Sequence, residues 1–351
     1  MTGGFQLQSW MGVAGLAILA FVLLHLLVRR FGGWVRLYRR IKREVLLVIR
    51  SWTRPLTAAI RYRRRLRLLT QALRDPATWT VVGKAFDLAA RHDTDLVPYC
   101  AVASGKQIGI LLAGPIGDGV VPEPWRQDPI DQRLWWIDRR ELIDPQTAGP
   151  TAPAREEAPL LVCLGLDSTG KYVVMVDLLA GPPAVSVYGA PKASQGVVQA
   201  IAAQLDVRLP VGAVEVASGV HDHYPGLLLS EAVRRPGAWI AIGAEDLEHP
   251  LPRSVRLISL GVTRGRGTLL EVRRDGSLRW HGAADWLEID HLPLSRAVAL
   301  SIGSLPEHDF QRPLRAGDDP DDLHGARPVT EGVSATSAGT AGSDRRTNSW
   351  T

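Results

Sequence analysis

The sequence predicts an α/β protein: an N-terminal transmembrane helix and basic juxtamembrane helices, then a small α+β region and a mixed-sheet α/β domain, ending in a disordered C-terminal tail. Three observations carry that prediction. Residues 1–28 contain no Asp, Glu, Lys or Arg, whereas residues 29–74 hold fifteen Lys/Arg against the single acid Glu44. Short apolar runs alternate with helical periodicity between residues 184 and 242, as expected of a parallel sheet with right-handed crossovers. After Pro313 the chain turns to Asp, Gly, Ser, Thr and Ala, too apolar-poor to offset the entropy of ordering.

In chain order, residues 1–9 are expected to form a short extracytoplasmic N-terminus. Residues 10–28 follow as the span, since the uncharged apolar run 11–28 approaches the ~20 residues needed to cross a bilayer. Trp10 and Trp34 stand near its ends as interfacial anchors would. The basic stretch after the span places the rest of the chain in the cytoplasm by the positive-inside rule. A cleaved signal peptide fits less well, because the positive charge lies on the wrong side of the apolar run.

Residues 29–75 read as basic amphipathic helices. Val35, Tyr38, Ile41, Val45, Val48, Ile49 and Trp52 recur at three- and four-residue steps with Arg and Lys between them. Pro55 is expected to break or kink this run before a second basic stretch. Anionic membrane lipids are the expected partner of Arg36, Arg39, Arg40, Lys42, Arg43, Arg61, Arg63, Arg64, Arg65 and Arg67. Pairing of the helix with a second copy is compatible with lipid contact, and so is a homo-oligomer.

Residues 76–143 form the small Trp-rich α+β region. It begins with a helix at 78–91 and continues as two strands, 97–103 and 107–113, joined by Ser-Gly-Lys. Trp125, Trp135 and Trp136 then fall within twelve residues. They are candidates for an aromatic interaction site, although indole rings closing a small irregular core, each with its N–H bonded, would give the same pattern. Residues 144–158 have the Pro, Ala, Thr and Glu content of a linker.

Residues 159–311 form the α/β domain. A hairpin over 160–178 turns at Asp-Ser-Thr-Gly; a strand at 184–188, a helix at 194–205 and a strand at 211–217 follow. A short helix at 226–234 and strands at 238–242, 255–260, 268–273 and 277–281 complete it. Residues 312–351 are the tail.

Charge narrows the function classes. The net charge of +5 conceals an acidic body, because residues 75–351 carry 26 Lys/Arg against 35 Asp/Glu. An acidic body is a poor partner for nucleic acid. Cys100 and Cys163 lack a C-x-x-C spacing and read as small core residues. His221-Asp222-His223 reads as a loop, since no third metal ligand has a predictable place. No G-x-S-x-G nucleophile elbow occurs. No catalytic residue, cofactor site or metal site is therefore assigned. The Arg-rich, Ala-rich composition suggests a GC-rich actinobacterial genome.

One motif approaches chemistry. Strand 184–188, the stretch GAPKASQG and the following helix have the layout of a phosphate-binding loop. Aligned on Gly189, Ser194 stands where the second glycine belongs, Gln195 where the lysine belongs and Gly196 where the Ser/Thr belongs. Gly189, Lys192 and Gly196 are thus read as a vestigial loop, and the acids Glu245 and Asp246 after a later strand only weakly suggest an ATPase. Residues 160–246 resemble the translocase domains of the FtsK/SpoIIIE type and the ATPases of type VII secretion, which share the order hairpin, apolar strand, P-loop, helix, strand. With the diagnostic residues missing, the resemblance implies a degenerate, non-catalytic relative. The overall layout also resembles the SepX type of actinobacterial septation protein. Together these imply a non-enzymatic membrane-anchored adaptor that recruits proteins of the envelope or division machinery, the alternative being a structural subunit of a secretion translocon.

Overall fold

The computed structural model describes residues 15–23, 25–26, 29–30, 34–92, 96–115, 121–143, 158–221, 226–244, 251–252, 254–263, 267–281 and 286–308. The chain divides into two units, residues 1–63 and 64–351. Trp10, the linker up to residue 157 and the tail from 309 lie outside the described residues.

In the first unit, residues 15–23 are helical and exposed, with Leu16, Ile18, Leu19 and Phe21 all open to solvent. No helix among the described residues is long and apolar enough to cross a membrane. The next helix, α1 (Trp34–Arg74), is long but far too charged. The expected single-pass span at 10–28 is therefore withdrawn, together with the N-out, C-in location that depended on it. A second correction concerns Pro55, which lies inside α1 without ending it, so the two basic stretches share one continuous helix of 41 residues.

The second unit is built on a single mixed sheet. Its strands are β1 (Val97–Ala103), β2 (Gln107–Ala113), β3 (Arg126–Gln127), β4 (Leu134–Asp138), β5 (Leu161–Asp167), β6 (Val173–Asp177) and β7 (Ala184–Gly189). After these come β8 (Val214–Val216), β9 (Ile240–Gly243), β10 (Arg256–Leu260), β11 (Thr268–Val272), β12 (Ser277–His281) and β13 (Glu288–Asp290). The thirteen lie in the order β3-β4-β2-β1-β6-β5-β13-β12-β11-β7-β10-β9-β8. Neighbours from β3 through β11 are antiparallel. From β11 to β8 they are parallel.

Connection length decides which arrangement occurs. Three-residue and five-residue turns close the β1–β2 and β5–β6 hairpins, whereas β7 reaches the parallel β8 through helix α4 (Pro191–Arg208). The sheet also joins two regions that the sequence set apart. β1 pairs with β6 from Cys100↔Val176 to Ala103↔Val173, so residues 76–143 and 159–311 share one sheet.

Strand alternation splits the apolar residues between the two faces. Ala101, Ala103, Ile108, Ile110, Trp135 and Ile137 face one core with α2 (Pro76–His92), α6 (Leu294–Ser301) and the end of α1, from which Leu69 and Leu73 are fully buried. Cys100, Val102, Leu111, Leu134 and Val162 face the other, in the cluster that also takes in Val197, Val198, Ile201 and Leu205 of α4. Asp75-Pro76 turns α1 into α2: Asp75 accepts from the Thr78 hydroxyl and the Ala77 N–H, and Pro76 takes the first helical position, where its missing N–H costs nothing. Arg208 at the end of α4 is buried over the Trp79 ring at 4.1 Å, and its guanidinium reaches Leu161 O and Pro306 O. Burial lowers its pKa to about 10.

Candidate functional site

A cleft of about 290 Å³ opens on the face of the antiparallel strands opposite α2. Its apolar floor is Val102 of β1 and Leu134 and Trp136 of β4, and its walls add Tyr172, Trp286, Leu287 and Ile130. Period-2 alternation decides which tryptophan reaches it. In Leu134-Trp135-Trp136-Ile137, Leu134 and Trp136 point to the cleft face, and Trp135 and Ile137 to the α2 face.

Gly109 makes room for the Trp136 ring. It is the cross-strand partner of Trp136, and a Cβ there would lie 2.9 Å from the indole Cζ3 and 2.8 Å from Val102. The bare backbone lets the ring lie across β2 and meet Tyr172 at 5.4 Å between centroids, tilted by 53°.

The polar ends of the aromatic residues are fixed. Trp136 Nε1 donates to Asp128 Oδ2 at 2.9 Å, and Trp286 Nε1 donates to Asp131 Oδ2 at 2.7 Å. Gln107 Nε2 donates to the Tyr172 hydroxyl at 2.9 Å. Each carboxylate is itself held by backbone. Asp128 Oδ1 accepts from the N–H groups of Ile130 and Asp131, and Asp131 Oδ1 accepts from that of Arg133. Asp167 accepts from the N–H groups of Thr169, Lys171 and Tyr172 and from the Thr169 hydroxyl, which closes the β5–β6 turn. Partial burial pushes the Asp128 carboxyl up, but the bonds from Trp136, Ile130 and Asp131 outweigh it and leave the group below its ordinary range. Asp128, Asp167 and Glu288 line the cleft, and among the described residues no Lys, Arg or His does.

Of the three tryptophans singled out by spacing, only Trp136 is in the cleft. Trp125 and Trp135 are buried against each other in the α2-side core at 6.1 Å. Trp125 Nε1 has no hydrogen-bond partner among the described residues, contrary to the expectation that each ring N–H would be bonded. Tyr172 and Trp286 escaped the sequence reading because they come from separate parts of the chain. Their one local signal is position, each close to the turn of a β-hairpin.

The vestigial loop has a different geometry from the one its spacing suggested. β7 ends at Gly189, Ala190 alone links it to α4, and Pro191 begins the helix. Ser194 N–H already bonds Ala190 O, so the stretch to Gly196 is helix and not the open loop whose successive N–H groups would wrap a phosphate. Lys192 is exposed on the first turn, and Gly196 lies within the helix. Gly189 is needed for packing: its φ is +120°, and a Cβ would sit 2.1 Å from Val272 O. Glu245 and Asp246 lie outside the described residues, as do Asp222 and His223.

The basic residues of α1 also divide. Lys42, Arg43, Arg61 and Arg63 are exposed in the first unit, as are Arg64 and Arg67 in the second. Among the described residues Arg61, Arg63, Arg64 and Arg67 have no carboxylate partner. Arg65 turns inward, pairing with Asp290 and donating to Ser168 O at 2.8 Å. The side chains of Trp34, Arg36, Arg39 and Arg40 lie outside the described residues.

Comparison with protein-family models, characterised proteins and solved structures returned no match. The resemblance to translocase ATPases therefore stands on element order alone, and the one-span part of the septation-protein layout falls with the span.

Proposed function

We propose that this protein is a non-enzymatic adaptor that rests on anionic lipid through the arginines of α1 and holds proteins of the envelope or division machinery on its sheet. The observation that carries this reading is the set Arg61, Arg63, Arg64 and Arg67 on one helix, exposed and without a carboxylate partner among the described residues, with Leu56 and Ile60 also exposed. A basic helix with exposed apolar residues is suited to headgroup contact without crossing the bilayer. Near a charged surface each such cation contributes about 1 kcal/mol, so four correspond to roughly a thousandfold in partitioning.

The test is cosedimentation of the full chain with vesicles of phosphatidylglycerol and phosphatidylcholine. The expected result is binding that needs the anionic lipid, falls steeply with salt, and drops at least a hundredfold when Arg61, Arg63, Arg64 and Arg67 are changed to Gln. Equal binding to neutral vesicles would overturn the electrostatic attachment. A fluorescent fusion tests the setting: bands at division septa support the adaptor, whereas foci that require secretion genes support a translocon subunit.

A further inference from the structure

We propose that the cleft walled by Trp136, Tyr172 and Trp286 is a receptor for an arginine side chain carried on an extended segment of a partner protein. The proposal deepens the adaptor reading by naming what the sheet holds.

Charge complementarity selects this occupant. Asp128, Asp131 and Asp167 accept hydrogen bonds only from neutral donors: two ring N–H groups, backbone N–H groups and one hydroxyl. None of the three has a cationic partner among the described residues. Three of the cations nearby are already paired. Arg65 reaches Ser168 O at the margin but pairs with Asp290, while Arg279 and Arg273 pair with Glu288. The site thus presents negative charge beside low-dielectric aromatic walls, which concentrate its field on an entering cation.

The walls discriminate among cations. Trp136 and Trp286 are tethered by their ring N–H groups and both line the cleft, so the ring surface they turn to it is held in place for a ligand. A guanidinium is planar, weakly hydrated and stacks on such faces while its edge donates to carboxylates, whereas an ammonium is compact and strongly hydrated. A volume of about 290 Å³ lies at the small end of ligand pockets and suits one long side chain with its flanking backbone. A purely apolar occupant would desolvate the carboxylates further without supplying a counter-charge.

Isothermal titration of the full chain with acetyl-Gly-Ala-Arg-Ala-Gly-amide tests the assignment, with the citrulline peptide as its neutral isostere. Saturable 1:1 binding is expected, at least tenfold weaker for citrulline and severalfold weaker for lysine. Trp286→Ala, at a residue 43% exposed, should weaken binding at least fivefold with an unchanged thermal midpoint, and Asp128→Asn should weaken it comparably. Equal affinity for the citrulline peptide, unchanged affinity in folded Trp286→Ala protein, or no binding at millimolar peptide would each overturn the proposal. Vesicle cosedimentation of the same preparations separates the two readings. A protein that binds vesicles but not the peptide retains its lipid role and loses this site, and the reverse pattern keeps the site and removes the lipid role.

Discussion

Replacing Gly189 and Gly196 by alanine, one at a time, should move stability in opposite directions. At Gly189 the new Cβ would lie 2.1 Å from Val272 O, and ordinary contact needs about 3.5 Å. β7 and β11 must then separate by more than 1 Å at that end, which breaks the 2.8 Å bond from Ala190 N–H to Val272 O. A buried group losing its partner costs about 1–3 kcal/mol, and holding alanine at φ +120° costs another 1–3 kcal/mol. The sum is about 2–6 kcal/mol. At Gly196 the Cβ meets only Ser295 Oγ at 3.4 Å, within a helix, so Gly196→Ala should stabilise by about 0.5–1 kcal/mol through helix propensity. Scanning calorimetry should show a midpoint lower by at least about 4 °C for Gly189→Ala and unchanged or slightly higher for Gly196→Ala, at about 2–4 °C per kcal/mol for a domain of this size. A phosphate loop would behave otherwise, with Gly189 serving a ligand and not setting stability. A Gly189→Ala protein as stable as the parent would refute the assigned contact between β7 and β11.

Three further outcomes are expected. Arg65→Met leaves Asp290, whose side chain is 11% exposed, without its cation, and should cost about 1–3 kcal/mol in urea titrations once partial exposure is allowed for; vesicle binding should be unaffected. His291 is buried with its Nε2 unpartnered, and desolvation lowers its pKa against the opposing pull of Asp290 and Asp275. The unfolded chain therefore takes up the proton first, so stability is full above about pH 6.5 and falls as pH drops below it; His291→Gln should flatten that slope in a pH series of melting curves. Cys100 and Cys163 are fully buried, and burial raises both thiols, that of Cys163 to about 12. A thiol-specific disulfide reagent should label neither until the protein is unfolded.

The hairpins were legible because their signals are local. Ser-Gly-Lys and Asp-Ser-Thr-Gly each stand between two apolar runs, and the structure places β1–β2 and β5–β6 on them. Continuity of the sheet was not legible, because the pairing of β1 with β6 joins residues about seventy apart and depends on packing that no window contains. The loop at 189–196 was misread for a physical reason. Glycine spacing suggested an open turn, yet Pro191 has a φ suited to a first helical residue, and the residues after it continue the helix at once. The span is not supported because no helix among the described residues is long and apolar enough to cross a membrane, whatever the hydropathy of a window suggests.

Arg65 shows what a count of charges omits. Its basic stretch was assigned whole to lipid, although Leu66, Leu69 and Leu73 recur there at three- and four-residue steps and mark a buried stripe. Arg65 lies beside that stripe and pairs inward, while Arg64 and Arg67 point to solvent. The phase of the helix thus decides which arginines are free for a surface. Alternation in β4 does the same for Trp135 and Trp136, sending one indole into the core and the other to the cleft. In both places composition identified the right residue type, and periodicity, already present in the sequence, identified the individual residue that can meet a partner.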